Sequence, residues 1–294
     1  MNHRTHKYGK MPKTAVVIHF IFVLLFLGQV VHSQSDYPTK NQVLDTVLPS
    51  FSIYKDAYFI TGVPTNSSIS KETADAKYQI SFKQLILRGE LPFNSHLFLT
   101  YTQKAFWNVY EFSSPFQEVN FNPGIGLGAP VFDRHDRLKG LVEMKLEHES
   151  NGRDSIYSRS WNSLSLNYNT RLGEKLMVGI KGWLPFVYKE DNPDLLNYIG
   201  FGELSFFYDF SDKLKLDVNM RKGNQWDWKG RVRTRLSLRL SETTNQHLML
   251  EWYTGYGESL ITYDQSRSMI RLGYLIKSPD LNILKRKKNK KPNR

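Results

Sequence analysis

Three side chains that could together open an ester bond lie close in the chain: His148, Ser150 and Asn162. A serine hydroxyl is a poor nucleophile until a neighbouring base takes its proton, and that base needs a third group to fix its tautomer. An imidazole two residues from a hydroxyl can serve as the base if the backbone is extended, because side chains at i and i+2 then share one face about 7 Å apart. A nearby amide can orient the ring as a carboxylate does, without placing another charge in an apolar site. The same His-x-Ser spacing is also ordinary at the wet end of any strand. What these residues can do therefore depends on the elements that carry them.

Those elements read as strands. Leu214, Leu216, Val218 and Met220 alternate with Lys213, Lys215, Asp217, Asn219 and Arg221. Val232, Leu236, Leu238 and Leu240 alternate with Arg231, Arg233, Arg235 and Arg239, and Ile270, Leu272, Tyr274 and Ile276 with Met269, Arg271 and Gly273. Period two puts one set on each face of a strand. Past the first thirty residues no run of 18 apolar residues occurs, which excludes transmembrane helices. Aromatics near strand ends (Tyr101, Trp107, Tyr168, Trp183, Tyr208, Trp252, Tyr253) suit interfacial girdles. The pattern predicts an all-β fold, a single antiparallel transmembrane β-barrel of about twelve strands. They are expected at 54–62, 77–88, 94–108, 118–134, 139–149, 158–170, 175–187, 198–210, 213–222, 229–240, 246–256 and 267–276. Gaps after even strands are short and those after odd strands long, so odd strands should run outward from a periplasmic rim of tight turns.

Parity then locates the chemistry. Val142, Met144, Leu146, His148 and Ser150 share one face, while Glu143, Lys145, Glu147 and Glu149 share the other. The charged set belongs in the lumen, so His148 and Ser150 extend the lipid-facing stripe at its outer end. Asn162 shares parity with Leu164, Leu166 and Tyr168 on the next strand and also faces lipid. Polar groups there are costly unless they bond one another, and they mark functional sites by default. The residues alone leave two readings open, a catalytic set or an interfacial cluster.

The termini carry most of the charge. The 294-residue chain has a net charge of +12 and no cysteine. Arg4, Lys7, Lys10 and Lys13 precede an apolar run from Ala15 to Leu27, so residues 1–33 read as an export signal with a mature start near Gln34. Residues 34–276 form the barrel, and 277–294 are expected to be a disordered basic tail. Eleven of the twelve net charges fall in residues 1–33 and 281–294, leaving the body near neutral. No basic stripe with interleaved aromatics is present, which argues against nucleic acid. A charged lumen also suits a non-catalytic pore or structural barrel, the alternative function. Its lumen would have to stay open, whereas a twelve-stranded interior can be filled by side chains.

His148-Glu149-Ser150-Asn151-Gly152-Arg153 followed by Ser158-Arg159-Ser160-Trp161-Asn162 resembles the signature of the outer membrane phospholipase A family. The resemblance extends to Tyr101-Thr102-Gln103-Lys104, Ser113-Ser114-Pro115-Phe116, Asp191-Asn192-Pro193-Asp194 and Gly255-Tyr256-Gly257-Glu258-Ser259-Leu260, in order along most of the mature chain. It implies an outer-membrane enzyme hydrolysing acyl esters of phospholipids and lysophospholipids, activated by calcium-promoted homodimerisation. It further implies Ser150 as nucleophile, His148 as base, Asn162 as orienting residue and the Gly152 N–H as oxyanion donor. Ca2+ would take Arg153 and Ser158 from one subunit and Ser113 from the other in the dimer, or Asp191 in the monomer. Gln103 matches a glutamine at the family's dimer interface.

Overall fold

The computed structural model describes residues 49–284, so the expected export signal lies outside the described residues. Thirteen strand segments follow one another: β1 (Phe51–Ile53), β2 (Ala57–Pro64), β3 (Asp75–Leu91), β4 (Ser95–Trp107), β5 (Phe116–Phe132), β6 (Leu138–Ser150), β7 (Ser160–Leu172), β8 (Leu176–Phe186), β9 (Gly202–Asp209), β10 (Leu214–Lys222), β11 (Gly230–Arg239), β12 (Gln246–Gly255) and β13 (Arg267–Ile276). From β2 onward each pairs antiparallel with the next in sequence, β1 pairs with β3, and β13 pairs with β2 to close the ring. The barrel has twelve staves because β1 and β2 are one stave in two pieces. Both lie along β3, β2 against Asp75–Gln79 and β1 against Phe82–Gln84. The break between them lets Tyr54 reach across the lumen, where its hydroxyl lies 3.4 Å from Glu143 Oε2 and Lys145 Nζ lies 4.7 Å from its ring centroid.

Alternation decides which residues meet lipid. On β6, Met144 and Leu146 are exposed while Glu143, Lys145 and Glu147 are buried. On β7, Leu164 and Leu166 are exposed and Ser163 and Ser165 buried. The inward charges are tied together. Arg271 holds Asp75 through Nε and Nη2, each at 2.7 Å, and Glu258 through Nη1 at 2.7 Å. Lys77 bonds Glu258 at 2.9 Å and also pairs with Glu251, which takes Arg235 Nε at 2.7 Å. Glu147 takes Lys145 at 2.9 Å and Lys181 at 2.6 Å. A charge buried without such partners would be prohibitively costly. Space for the network comes partly from an inward glycine row on β5. A Cβ on Gly126 would stand 2.4 Å from Lys145 Cγ and 2.9 Å from Phe98 Cζ. The glycine-rich run Pro123–Gly128 is thus strand interior, not a ligand loop.

Three expectations need correction. Trp183 and Tyr253 do not join the aromatic girdle, being 5% and 1% exposed. Each stands next to an outward residue, Leu184 or Trp252, so alternation turns it into the lumen. The strand expected at 198–210 begins at Gly202, preceded by a helical turn, α1 (Leu196–Ile199), whose Leu196 and Ile199 cap the lumen with Leu195, Leu260 and Tyr263. Finally, the first eight residues of the expected disordered tail are docked. Ser278 N donates to Asp56 Oδ1 at 2.8 Å, its hydroxyl bonds Tyr54 O at 2.7 Å, and Lys277 and Lys83 pair with Asp56 and Asp280. Leu284 packs against Leu138 and Met177. The basic run 285–294 lies outside the described residues.

Candidate active site

His148 and Asn162 are direct cross-strand partners in the β6–β7 register. His148 Nδ1 lies 2.9 Å from Asn162 Oδ1. With that oxygen as acceptor, Nδ1 carries the proton and Nε2 keeps its lone pair. Asn162 Nδ2 lies 3.4 Å from Val187 O, which orients the amide. Ser150 is the last residue of β6, opposite Ser160 on β7 and Phe121 on β5. It shares the outward face with His148, and no hydrogen bond joins the two in the described structure. The pair therefore sits where parity predicts, on the lipid wall at the outer rim.

The segment beyond Ser150 is shaped by Asn151, which is 4% exposed. Its Nδ2 donates to Tyr157 O at 2.8 Å, and its Oδ1 accepts from the backbone N–H groups of Arg159 at 3.0 Å and Arg153 at 3.3 Å. One buried amide thus ties down both ends of the loop. Gly152 has a φ of 64°, and an added Cβ would meet Phe121 Cε2 at 2.9 Å. A left-handed backbone against an aromatic ring is a position only glycine fills without strain.

The expected calcium residues fall into two groups. Ser158 Oγ and Ser160 Oγ both donate to Asp191 Oδ2, at 3.1 and 2.8 Å. The buried Asn192 donates its amide to Ser160 O, fixing Asp191 against the β6–β7 loop. Arg153 turns its guanidinium to Gln117 O. Ser113 is exposed in the β4–β5 loop at a φ of 62° and bonds none of the other three within one chain. A carboxylate and two hydroxyls converging on one point make an oxygen-only donor set, which suits a hard cation such as Ca2+ and disfavours softer metals. Asn151, Ser160 and Asn192 escaped sequence reasoning because their roles are hydrogen bonds across a loop. The Ser-x-Ser spacing of 158 and 160 was the available signal.

The molecule is an outer-membrane β-barrel that carries a bonded imidazole–amide pair on its lipid wall. A family model described as Phospholipase A1 matches residues 46–276. Phospholipase A1 of Escherichia coli K12 is 36% identical over 209 residues, covering 69% of each chain. That of Salmonella typhimurium is 34% identical over 218 residues, covering 72% of each. Among solved structures, the outer membrane phospholipase A of Escherichia coli matches with a TM-score of 0.69 at 28% identity, covering 81% of this chain and 97% of its own. One solved form of it is an active-site mutant with alanine in place of an asparagine. The Salmonella typhi outer membrane phospholipase, a dimer with bound calcium, matches equally at 0.69 and 28%, covering 82% and 98%. The chain belongs to the phospholipase A1 family, and it is a phospholipase of the bacterial outer membrane.

Proposed function

We propose that this phospholipase acts through Ser150, His148 and Asn162 and cleaves sn-1 and sn-2 acyl esters of phospholipids and lysophospholipids in a calcium-dependent way. The bond between His148 Nδ1 and Asn162 Oδ1 on the lipid-facing wall carries the reading. Ser150 Oγ attacks the ester carbonyl carbon while His148 Nε2 takes its proton. The resulting imidazolium is held by its Nδ1–H to Asn162. The tetrahedral oxyanion lies against the Gly152 N–H. Its collapse breaks the bond to the alkoxy oxygen, which leaves with the proton from His148. Water, deprotonated by the same Nε2, then releases the fatty acid from Ser150. Placement at the outer rim matches the depth of ester bonds beneath the headgroups.

Ser158, Arg153 through its carbonyl, and Asp191 are the residues that would hold Ca2+, with Ser113 supplied by a second copy. Bound there, the cation adds positive charge where oxyanion charge develops. The solved calcium-bound dimer of the Salmonella typhi relative supports pairing of two copies. So does Gln103, which stands on the lipid face bonded to Tyr101 at 3.0 Å, a polar group suited to burial between barrels. Phospholipid hydrolysis in detergent, with calcium or chelator, tests the reading. Calcium-stimulated activity that persists in Ser150→Ala overturns it.

A further inference from the structure

Behind the His148–Asn162 wall, in the outer half of the lumen, lies a cavity of about 190 Å3. Glu149, Trp161 and Ser163 line it, the inward neighbours of His148, Ser150 and Asn162. Leu195, Ile199, Leu260 and Tyr263 roof it. Its wall carries six lysine and arginine side chains against four glutamates. Three of those glutamates are already in ion pairs, two of them with bases of the same wall. Glu147 is shared by Lys145 and Lys181, Glu203 by Arg221 and Arg231 at 3.1 Å each, and Glu258 by Arg271 and Lys77. Glu149 accepts from Trp161 Nε1 at 3.1 Å.

The remaining bases have no carboxylate within ion-pair distance among the described residues. Among those residues neither the Arg233 nor the Lys55 side chain makes an ion pair or hydrogen bond; Lys55 stands 5.9 Å from the ring of Tyr54 and feels Glu147 and Glu149 only at longer range, as Arg233 feels Glu251. Lys104 donates to the Glu258 carbonyl at 2.6 Å. Nε of Arg221 and of Arg231 are buried N–H groups without an acceptor. Against these, Glu149 supplies one negative charge. Counted over the lining, the six bases exceed the four carboxylates by two positive charges in a partly open polar pocket, an excess that favours a bound counter-anion.

We propose that this cavity is a binding site for a phosphate dianion, gripped by Arg233, Lys55 and Lys104. A tetrahedral oxyanion of charge −2 matches the excess charge, and its oxygens accept from planar guanidinium and ammonium donors. The space exceeds that of one such ion, so the phosphate is either free or the phosphomonoester of a small polar headgroup fragment. The site backs onto Glu149 and Trp161, so occupancy stiffens the wall that carries the catalytic set. It does not depend on the assignment of Ser150 or of calcium.

The test is thermal unfolding of the full-length protein in detergent, titrated with inorganic phosphate or glycerol 3-phosphate against chloride at matched ionic strength. A ligand that binds only the folded state raises the midpoint saturably. Wild type is expected to show that rise, and Arg233→Gln and Lys55→Gln to need at least about tenfold more ligand for the same rise. A response to inorganic phosphate identifies the free ion as sufficient, and a response to glycerol 3-phosphate alone identifies a headgroup fragment. Without phosphate, both variants should be as stable as wild type or more so, because they remove repulsion and not a pair. Absence of a saturable rise with either probe, or an equal rise in both variants, overturns the proposal.

Discussion

Glu147 and His148 are adjacent in sequence and stand on opposite sides of one wall. Glu147 is 9% exposed and takes bonds from Lys145, Lys181 and Ser165. His148 is half-buried and its ring has one hydrogen-bond partner among the described residues, Asn162. Inside, every lone pair that is filled removes freedom and holds a stave in register. Outside, the imidazole is steered at one nitrogen and open at the other. A saturated polar group serves as structure, whereas one left a single bond short of saturation can still exchange a proton with something new. The same strand provides both because its period of two separates them by one residue.

The sharpest way to break this contrast is on the outer side. Ser150→Ala should lower phospholipid hydrolysis by at least about a thousandfold while the barrel unfolds at the wild-type midpoint. On the inner side the effects should invert. Arg271→Ala strands Asp75 and leaves Glu258 with Lys77 alone, and should cost about 3–5 kcal/mol in guanidinium unfolding, with near-normal turnover per folded molecule. If Arg271→Ala instead removed activity from fully folded protein, the two sides would not be separable.

Smaller effects sharpen the comparison. Asn162→Ala should reduce kcat by about a hundredfold with little change in KM, because orientation of the base is lost and not the base itself. Asp191→Asn should raise the calcium concentration for half-maximal activity by about tenfold with chelated baseline activity unaltered, since one ligand charge is removed. The smallest concerns acid. Burial acts to raise the Glu258 carboxyl, but Arg271 and Lys77 hold it down to about 2. A carboxylate lowered in the fold stabilises it above the unfolded value near 4.3, and that stability drains as pH falls toward 2. The unfolding midpoint should decline across that window, and Glu258→Gln should flatten the decline.

Much of the outer wall was legible in the sequence because period-two alternation is a local signal. Met144, Leu146, His148 and Ser150 on one face and Glu143, Lys145 and Glu147 on the other needed only the neighbouring residues. Trp183 and Tyr253 were misplaced because residue type was weighed above that rule; Leu184 and Trp252 beside them held the correction. What was not legible depends on contacts between distant staves. The split of β1 from β2, the helical turn α1 in place of a strand start, and the lumen cavity arise from residues brought together only when the ring closes. The docked segment after β13 was hidden by composition. Its polar and basic residues read as solvated, yet Ser278 and Lys277 find acceptors on the chain's own first stave.

That segment has a mechanical meaning. A barrel is an open ribbon covalently, and β2 with β13 is the one place where its free edges are sewn by hydrogen bonds alone. Asp56 lies directly before β2, and Lys277 and Ser278 directly after β13, so their bonds form a clasp across the hem at the inner rim. Any peeling of the wall from its loose ends must first undo that clasp.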